Sequence, residues 1–374
     1  MRICLAPMDW ITDCAYRIIC KEVFARHGNP EDELMLWTEF MSADGYIHAP
    51  AGVVHHILTT DFEPELIVQI FWGNIDSLKQ CALDLRQTYG FTSLEINMWC
   101  PSPTIMKCGA GSALLKDRKN ALDLLAQLAD TWMRLSLKTR VGLNVEDKEE
   151  QFDFVCAAAK HVWLIALHGR TYQQSHAGEV DRDFIYRLKQ ALPDKVIIGN
   201  GGLRSYEDAK KHCSSPLSRG DAEGRGVLLD GTMIAQSAIG NPRILTPHTP
   251  TLSEKKDVIL RHLDLMMVCE RYLAQYAQPE KMPLRQPTKQ ELEDLIPQLY
   301  AWKLFRERWA TPREIRKYLF AYVTWIPNNK ELKQQIAKID DYMPLRECLE
   351  QFFEEHNQNV PPPVKGEWEG VYFS

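Results

Sequence analysis

The chain has 374 residues, 45% hydrophobic and 25% charged, with a formal net charge of −6. That balance excludes a disordered or fibrous protein and leaves room for one large domain with a smaller one. No run of about 18 apolar residues occurs, and the apolar stretch within Met1–Met8 is too short for a signal peptide, so neither a membrane span nor a leader is expected. Ten cysteines without a CxxC pair point to a reducing, cytoplasmic setting and away from disulfides or a cysteine zinc site.

Short apolar or β-branched runs recur through about the first 240 residues, at Ile3–Ala6, Met35–Thr38, Leu66–Phe71, Ser93–Asn97, Ser136–Thr139, Val162–Leu167, Val196–Gly199 and Gly231–Ile234. Amphipathic stretches alternate with them, among them Ile75–Tyr89, Arg118–Trp132, Gln151–Lys160, Phe184–Leu192 and Tyr206–Cys213. Strand–helix alternation requires right-handed crossovers and a parallel sheet. Eight such units suit a closed (β/α)8 TIM barrel of roughly 250 residues, placed at 1–245. A doubly wound open sheet is the second architecture, disfavoured as a dinucleotide binder because no GxGxxG follows the first strand.

From about Leu245 the periodicity becomes helical, in Lys255–Tyr276, Lys289–Glu307, Pro312–Val323 and Asn329–Ile339, which predicts a helical domain over 246–350. The remainder, 351–374, with Pro361-Pro362-Pro363, reads as an extended tail. Between Lys281 and Arg346 there are 13 Lys or Arg against eight Asp or Glu, a local excess of positive charge in an acidic chain. That asymmetry suits a basic module facing a polyanion, and equally a solvated helical surface.

Polar residues follow each predicted strand in turn: Pro7-Met8-Asp9, Glu39, Gln69, Asn97 and Cys100, Lys138-Thr139-Arg140, His168-Gly169-Arg170, Asn200-Gly201-Gly202 and Ala235-Gln236. Convergence at the carboxyl ends of barrel strands is how this architecture builds an active site. Cys100 lies in a loop before Gly109 and Gly111, which are suited to hinge it over a ligand. His55 and His56 are adjacent, a spacing that does not place two ligands on one helix face, and no HExxH occurs, so no metal site is expected.

The segment Glu95-Ile-Asn-Met-Trp-Cys-Pro-Ser-Pro103, continued by a glycine-containing stretch to Asp117, resembles the Asn-Met-Gly-Cys-Pro signature of tRNA-dihydrouridine synthases. The Cys-Pro of that signature falls at Cys100-Pro101. Leu5-Ala-Pro-Met8, Ser136-Leu-Lys-Thr-Arg140, His168-Gly-Arg-Thr171, Ile198-Gly-Asn-Gly201 and Asp230-Gly-Thr-Met-Ile234 resemble other motifs of that family in the same order. The resemblance covers about residues 1–350.

It implies a non-covalent FMN, NADPH as the reductant, a tRNA substrate and reduction of uridine to 5,6-dihydrouridine. Hydride would pass from flavin to C6, with Cys100 matching the proton donor to C5. By the same correspondence Lys138 contacts the pyrimidine end of the flavin, and Gln69 and Asn97 bond flavin or ribityl groups. His168 holds the flavin or its phosphate side, and Pro7, Met8 and Asp9 pack the ring. Asn200, Gly201 and Gly202 offer donors to the phosphate, with Ala235 and Gln236 beside them, and Arg170 faces the RNA.

Two positions depart from the family pattern. Ala235-Gln236 replaces a Gly-Arg pair, which removes a charged phosphate contact that backbone donors or Arg204 would have to replace. Trp99 replaces a glycine just before Cys100, which leaves three readings open: a narrower uracil slot, a bulky residue forced into a backbone that glycine adopts freely, or a stacking face. Two other readings stay open: an FMN barrel acting on a free pyrimidine, and a tRNA-binding relative that reduces nothing. A monomer without an obligate protein partner is the default expectation.

Overall fold

The computed structural model describes residues 1–72, 74–98, 115–128, 131–213, 226–278, 282–299, 310–324, 326 and 329–357. Trp99, Cys100, Gly109, Gly111 and the tail from 358 lie outside the described residues.

Nine parallel strands run β1 Arg2–Leu5, β2 Glu33–Met35, β3 Trp37–Ser42, β4 Ile67–Phe71, β5 Ser93–Asn97, β6 Arg134–Arg140, β7 Leu164–His168, β8 Val196–Asn200 and β9 Gly231–Ile234. Their order is β2-β1-β9-β8-β7-β6-β5-β4-β3. β2 pairs with β1 and β3 with β4, and Leu36 alone separates β2 from β3. The two edges of the sheet are therefore one interrupted strand, and eight strand positions close into a TIM barrel.

The expected strand Met35–Thr38 is corrected on two counts: it breaks at Leu36 and continues to Ser42, carrying Glu39 within it. The other expected strands are found, with ends shifted by at most two residues. The helix expected over Arg118–Trp132 is described over Arg118–Leu128, and Trp132 lies outside it, with a left-handed backbone of φ 61°.

Side chains on a strand alternate between the barrel interior and the surrounding helices. Cys4, Trp37, Ile67, Ala166, Ile198 and Met233 belong to an apolar cluster inside the barrel. Leu94, Ile96, Leu135 and Leu137 face the other way, into the core shared with the helices. The interior is thus plugged by apolar residues, and each of β4 to β8 carries a polar inward residue near its carboxyl end: Gln69, Asn97, Lys138, His168 and Asn200, with Arg140 one inward position beyond Lys138 and Glu39 at the irregular register of β3.

Helix α1 (Cys14–His27) starts at Asp13, whose side chain accepts from the Tyr16 N–H. Later come α2 (Ala43–His48), α3 (Ile75–Tyr89), α4 (Arg118–Leu128), α5 (Lys148–Ala158), α6 (Arg182–Ala191) and α7 (Tyr206–His212). The helical remainder opens with α8 (Leu252–Tyr276), started by a Thr251–Glu254 capping box. It packs on α1, where Arg261 reaches Glu22 at 2.8 Å. α9 (Lys289–Glu293) and α10 (Ile296–Leu299) correct the single helix expected from Lys289. α11 (Thr311–Glu314) and α12 (Arg316–Tyr322) follow, and the Tyr318 hydroxyl of α12 donates to the Ile11 carbonyl beside β1. α13 (Asn329–Ile336) and α14 (Tyr342–Asn357) complete the described chain, and α14 corrects the extended tail expected from 351 by remaining helical to Asn357.

A buried ion pair locks α1 to the segment before β4. Arg17, fully buried, donates from Nε to Glu63 Oε1 at 2.7 Å and from Nη1 and Nη2 to the Thr12 and Leu58 carbonyls. Glu63 also accepts from Thr59 Oγ1 at 3.1 Å. Glu63→Ala leaves the guanidinium buried and uncompensated, so a loss of about 3–5 kcal/mol is expected in urea unfolding. The double variant Arg17→Met, Glu63→Leu should recover most of it, and a single variant within about 1 kcal/mol of the parent would show that the pair is not buried as described.

Candidate active site at the carboxyl end of the barrel

Registers place the inward polar residues side by side: Asn97 opposite Lys138, Arg140 opposite His168, and His168 opposite Asn200. Hydrogen bonds hold Asn97 to Gln69 and Lys138 to Asn200 as two separate pairs. Asn97 Nδ2 donates to Gln69 Oε1 at 3.1 Å, and Gln69 Nε2 donates to Glu95 Oε2 at 2.5 Å. Across the barrel Lys138 Nζ donates to Asn200 Oδ1 at 3.4 Å, and Asn200 Nδ2 donates to the Met233 carbonyl at 2.6 Å. The amides are thereby oriented, and a buried lysine, 3% exposed, presents its charge inside the barrel.

Glu95 sits one inward position below Asn97 and is fully buried. Burial pushes its carboxyl up to about 7, while the Lys138 charge and the Gln69 donor pull it down. Arg140, also fully buried, donates from Nη1 to the Thr171 and Ser175 carbonyls, both at 2.8 Å, and pins the loop after β7. His168 is held well below the usual imidazole range, by burial first and then by Arg140, Lys138 and Arg170. It is therefore a neutral ring that donates from one nitrogen and accepts at the other.

Gly201 has φ 115°, and a Cβ there would come within 2.7 Å of His168 Cδ2. Gly202 follows with φ 69°. This backbone needs glycine, and at Gly201 the space a side chain would take is filled by the His168 ring. Arg170 donates from Nε to the Gly178 carbonyl at 2.9 Å, and its guanidinium is lowered by burial and then by neighbouring Arg204. Two like charges near Gly202 make this rim suited to an anion.

Of the residues singled out from sequence, Gln69, Asn97, Lys138, His168 and Asn200 share the barrel interior, with Gly201 beside His168 and Gly202 against Val180. Pro7 is buried, Met8 and Ala235 pack on the interior cluster, and Asp9 is exposed at the rim. Gln236 is exposed and starts a 3-10 turn, Gln236–Ala238. Trp99 and Cys100 lie outside the described residues. Glu95 and Arg140 were not assigned roles from sequence, although a period of two from Asn97 and Lys138 points to both.

Residues 4–278 match the profile of a protein family described as dihydrouridine synthase. A tRNA-dihydrouridine synthase B of Pseudomonas syringae pv. tomato is 30% identical over 279 residues, covering 71% of this chain and 76% of that protein. A tRNA-dihydrouridine synthase B of Pseudomonas aeruginosa is 24% identical over 366 residues, covering 96% of this chain and 94% of its own. A probable tRNA-dihydrouridine synthase of Rickettsia typhi is 26% identical over 266 residues, covering 71% and 79%.

Beneath the rim, Asp13 is pushed from 3.8 up to about 6, by burial first and Glu39 second, against the Tyr16 N–H, Lys317 and Arg17. The folded chain holds this proton more tightly than the unfolded one, so the group favours folding below about pH 4 and that contribution is lost as pH rises through about 6. Asp13→Asn keeps an oxygen for the Tyr16 N–H. Its Tm should exceed the parent's by about 2–4 °C near pH 7.5 and match it near pH 4. An equal offset at both pH values would remove the titration as its cause.

Proposed function

The chain belongs to the dihydrouridine synthase family, and from that membership we propose that it reduces uridines of tRNA to 5,6-dihydrouridine with FMN and NADPH. The observation that carries the reading is the set of inward polar residues at the carboxyl end of the barrel, hydrogen-bonded in two pairs, Gln69 with Asn97 and Lys138 with Asn200.

The residues present fit an FMN. Gly201 lets the loop after β8 pack directly on His168, Gly202 continues it with a left-handed backbone, and Arg170 and Arg204 supply positive charge that Gln236 lacks. Lys138 would stabilise negative charge at the pyrimidine end of the ring, with Gln69 and Asn97 bonding its edge and the ribityl chain. Met8, Pro7 and Asp9 would bound the ring from the turn after β1, and Asn200 would bond the side facing β9. When bound, FMN supplies the hydride for the pyrimidine C6 and is itself reduced by the nicotinamide. Cys100 would give the proton to C5 from the loop after β5, and Trp99 would border the same slot.

The helical remainder over 246–350, with its local excess of Lys and Arg, would hold the tRNA while the target base turns into the barrel. No described helix is long and apolar enough to cross a membrane.

The test is to purify the chain, record its flavin absorption, and assay dihydrouridine after adding NADPH and unmodified tRNA. Product formation is expected, with Cys100→Ala slower by roughly 10²–10⁴-fold. Lys138→Met should weaken FMN binding by roughly ten- to a hundred-fold. Flavin without tRNA reduction would favour a free pyrimidine as substrate. A protein that shifts tRNA but that FMN does not reconstitute would overturn the enzymatic reading.

A further inference from the structure

We propose that Asp9, Glu39 and His56 form a divalent-cation site at the rim of the barrel. The three come from separate elements: the turn after β1, the inward face of β3, and the 3-10 turn Val54–Ile57. One ligand atom from each lies within 4.8 Å of the others.

Two buried atoms in this cluster have no hydrogen-bond partner, Glu39 Oε1 and His56 Nδ1. Glu39 is only 2% exposed, and its other oxygen faces His56 Nδ1 at 3.5 Å without making a hydrogen bond. Leaving such buried atoms unsatisfied opposes folding. A shared cation satisfies both through their lone pairs. Glu39 acts on both Asp9 and Asp13, with Lys317 opposing at both, His56 at Asp9 and Arg17 at Asp13. One imidazole nitrogen with two carboxylate oxygens suits a first-row divalent ion more than calcium, which takes six to eight oxygens. Asp9 is exposed, so further coordination positions open toward solvent.

A second cluster meets the same distance criterion and differs in chemistry. His27, His248 and Glu254 also lie within 4.8 Å, but Glu254 already accepts from the Thr251 N–H at 2.7 Å, faces His248 at 3.1 Å and pairs with Arg243 at 3.3 Å. A fixed guanidinium stands there in place of an ion. If the tRNA reading holds, the rim cation would face the polyanion across carboxylates that otherwise repel it.

The test is calorimetric titration of Mn²⁺ into the chelator-stripped full chain, with the Mn²⁺ EPR signal recorded in parallel. Manganese is the probe because the ten cysteines favour softer ions such as zinc. One equivalent should bind, at least tenfold more weakly in Glu39→Gln and His56→Gln, and unchanged in His27→Gln. Circular dichroism must show each variant folded. No uptake by the parent, uptake undiminished in Glu39→Gln, or uptake lost only in His27→Gln would each overturn the site. Because neither tRNA nor NADPH is present, the result does not depend on whether the chain reduces tRNA.

Discussion

A parallel barrel shows its interior only every second residue of each strand, and that parity governs this molecule. The lower positions are mostly apolar and fill the space, with Trp37 and Met233 among them. Near the carboxyl ends of β4 to β8 an inward position is polar, so Gln69, Asn97, Lys138, His168 and Asn200, far apart in sequence, share one small volume. A shift of one residue in any strand would turn its polar group into the helical shell.

The cost of this arrangement is charge in a confined space. Glu95 and Lys138 are both buried within the barrel, and each is acceptable there because the other and the neighbouring amides are present. Arg140 places its charge on loop carbonyls, which holds the β7 loop while keeping His168 neutral. At the rim, Asp9, Asp13 and Glu39 crowd together, and the helical remainder answers with Lys317 and with Tyr318 bonded beside β1. Fold and site are therefore coupled through the first turn after β1.

Much of the barrel was legible because strands buried on both faces read as nearly continuous apolar runs, as in Leu164–Leu167 of β7 and Val196–Ile198 of β8. Boundaries were less legible where local sequence is neutral. Nothing in Leu36 breaks a strand by propensity, and the interruption arises because one stretch of chain must pair with β1 at its start and with β4 at its end. The helical residues after 351 likewise answer to packing and not to composition.

Family membership, the alternating architecture and the identity of the inward polar residues were all contained in the order of residues, since periodicity and motif order are linear properties. Which of those residues meet was not. The Gln69–Glu95 bond, the approach of Arg204 to Arg170, and the gathering of Asp9, Glu39 and His56 each join segments whose separation in sequence carries no signal. His56 illustrates the difference: beside His55 it forms no helical ligand pair, yet barrel closure carries it to two carboxylates from other elements. Distance through space is set by closure of the sheet, and only the folded chain contains it.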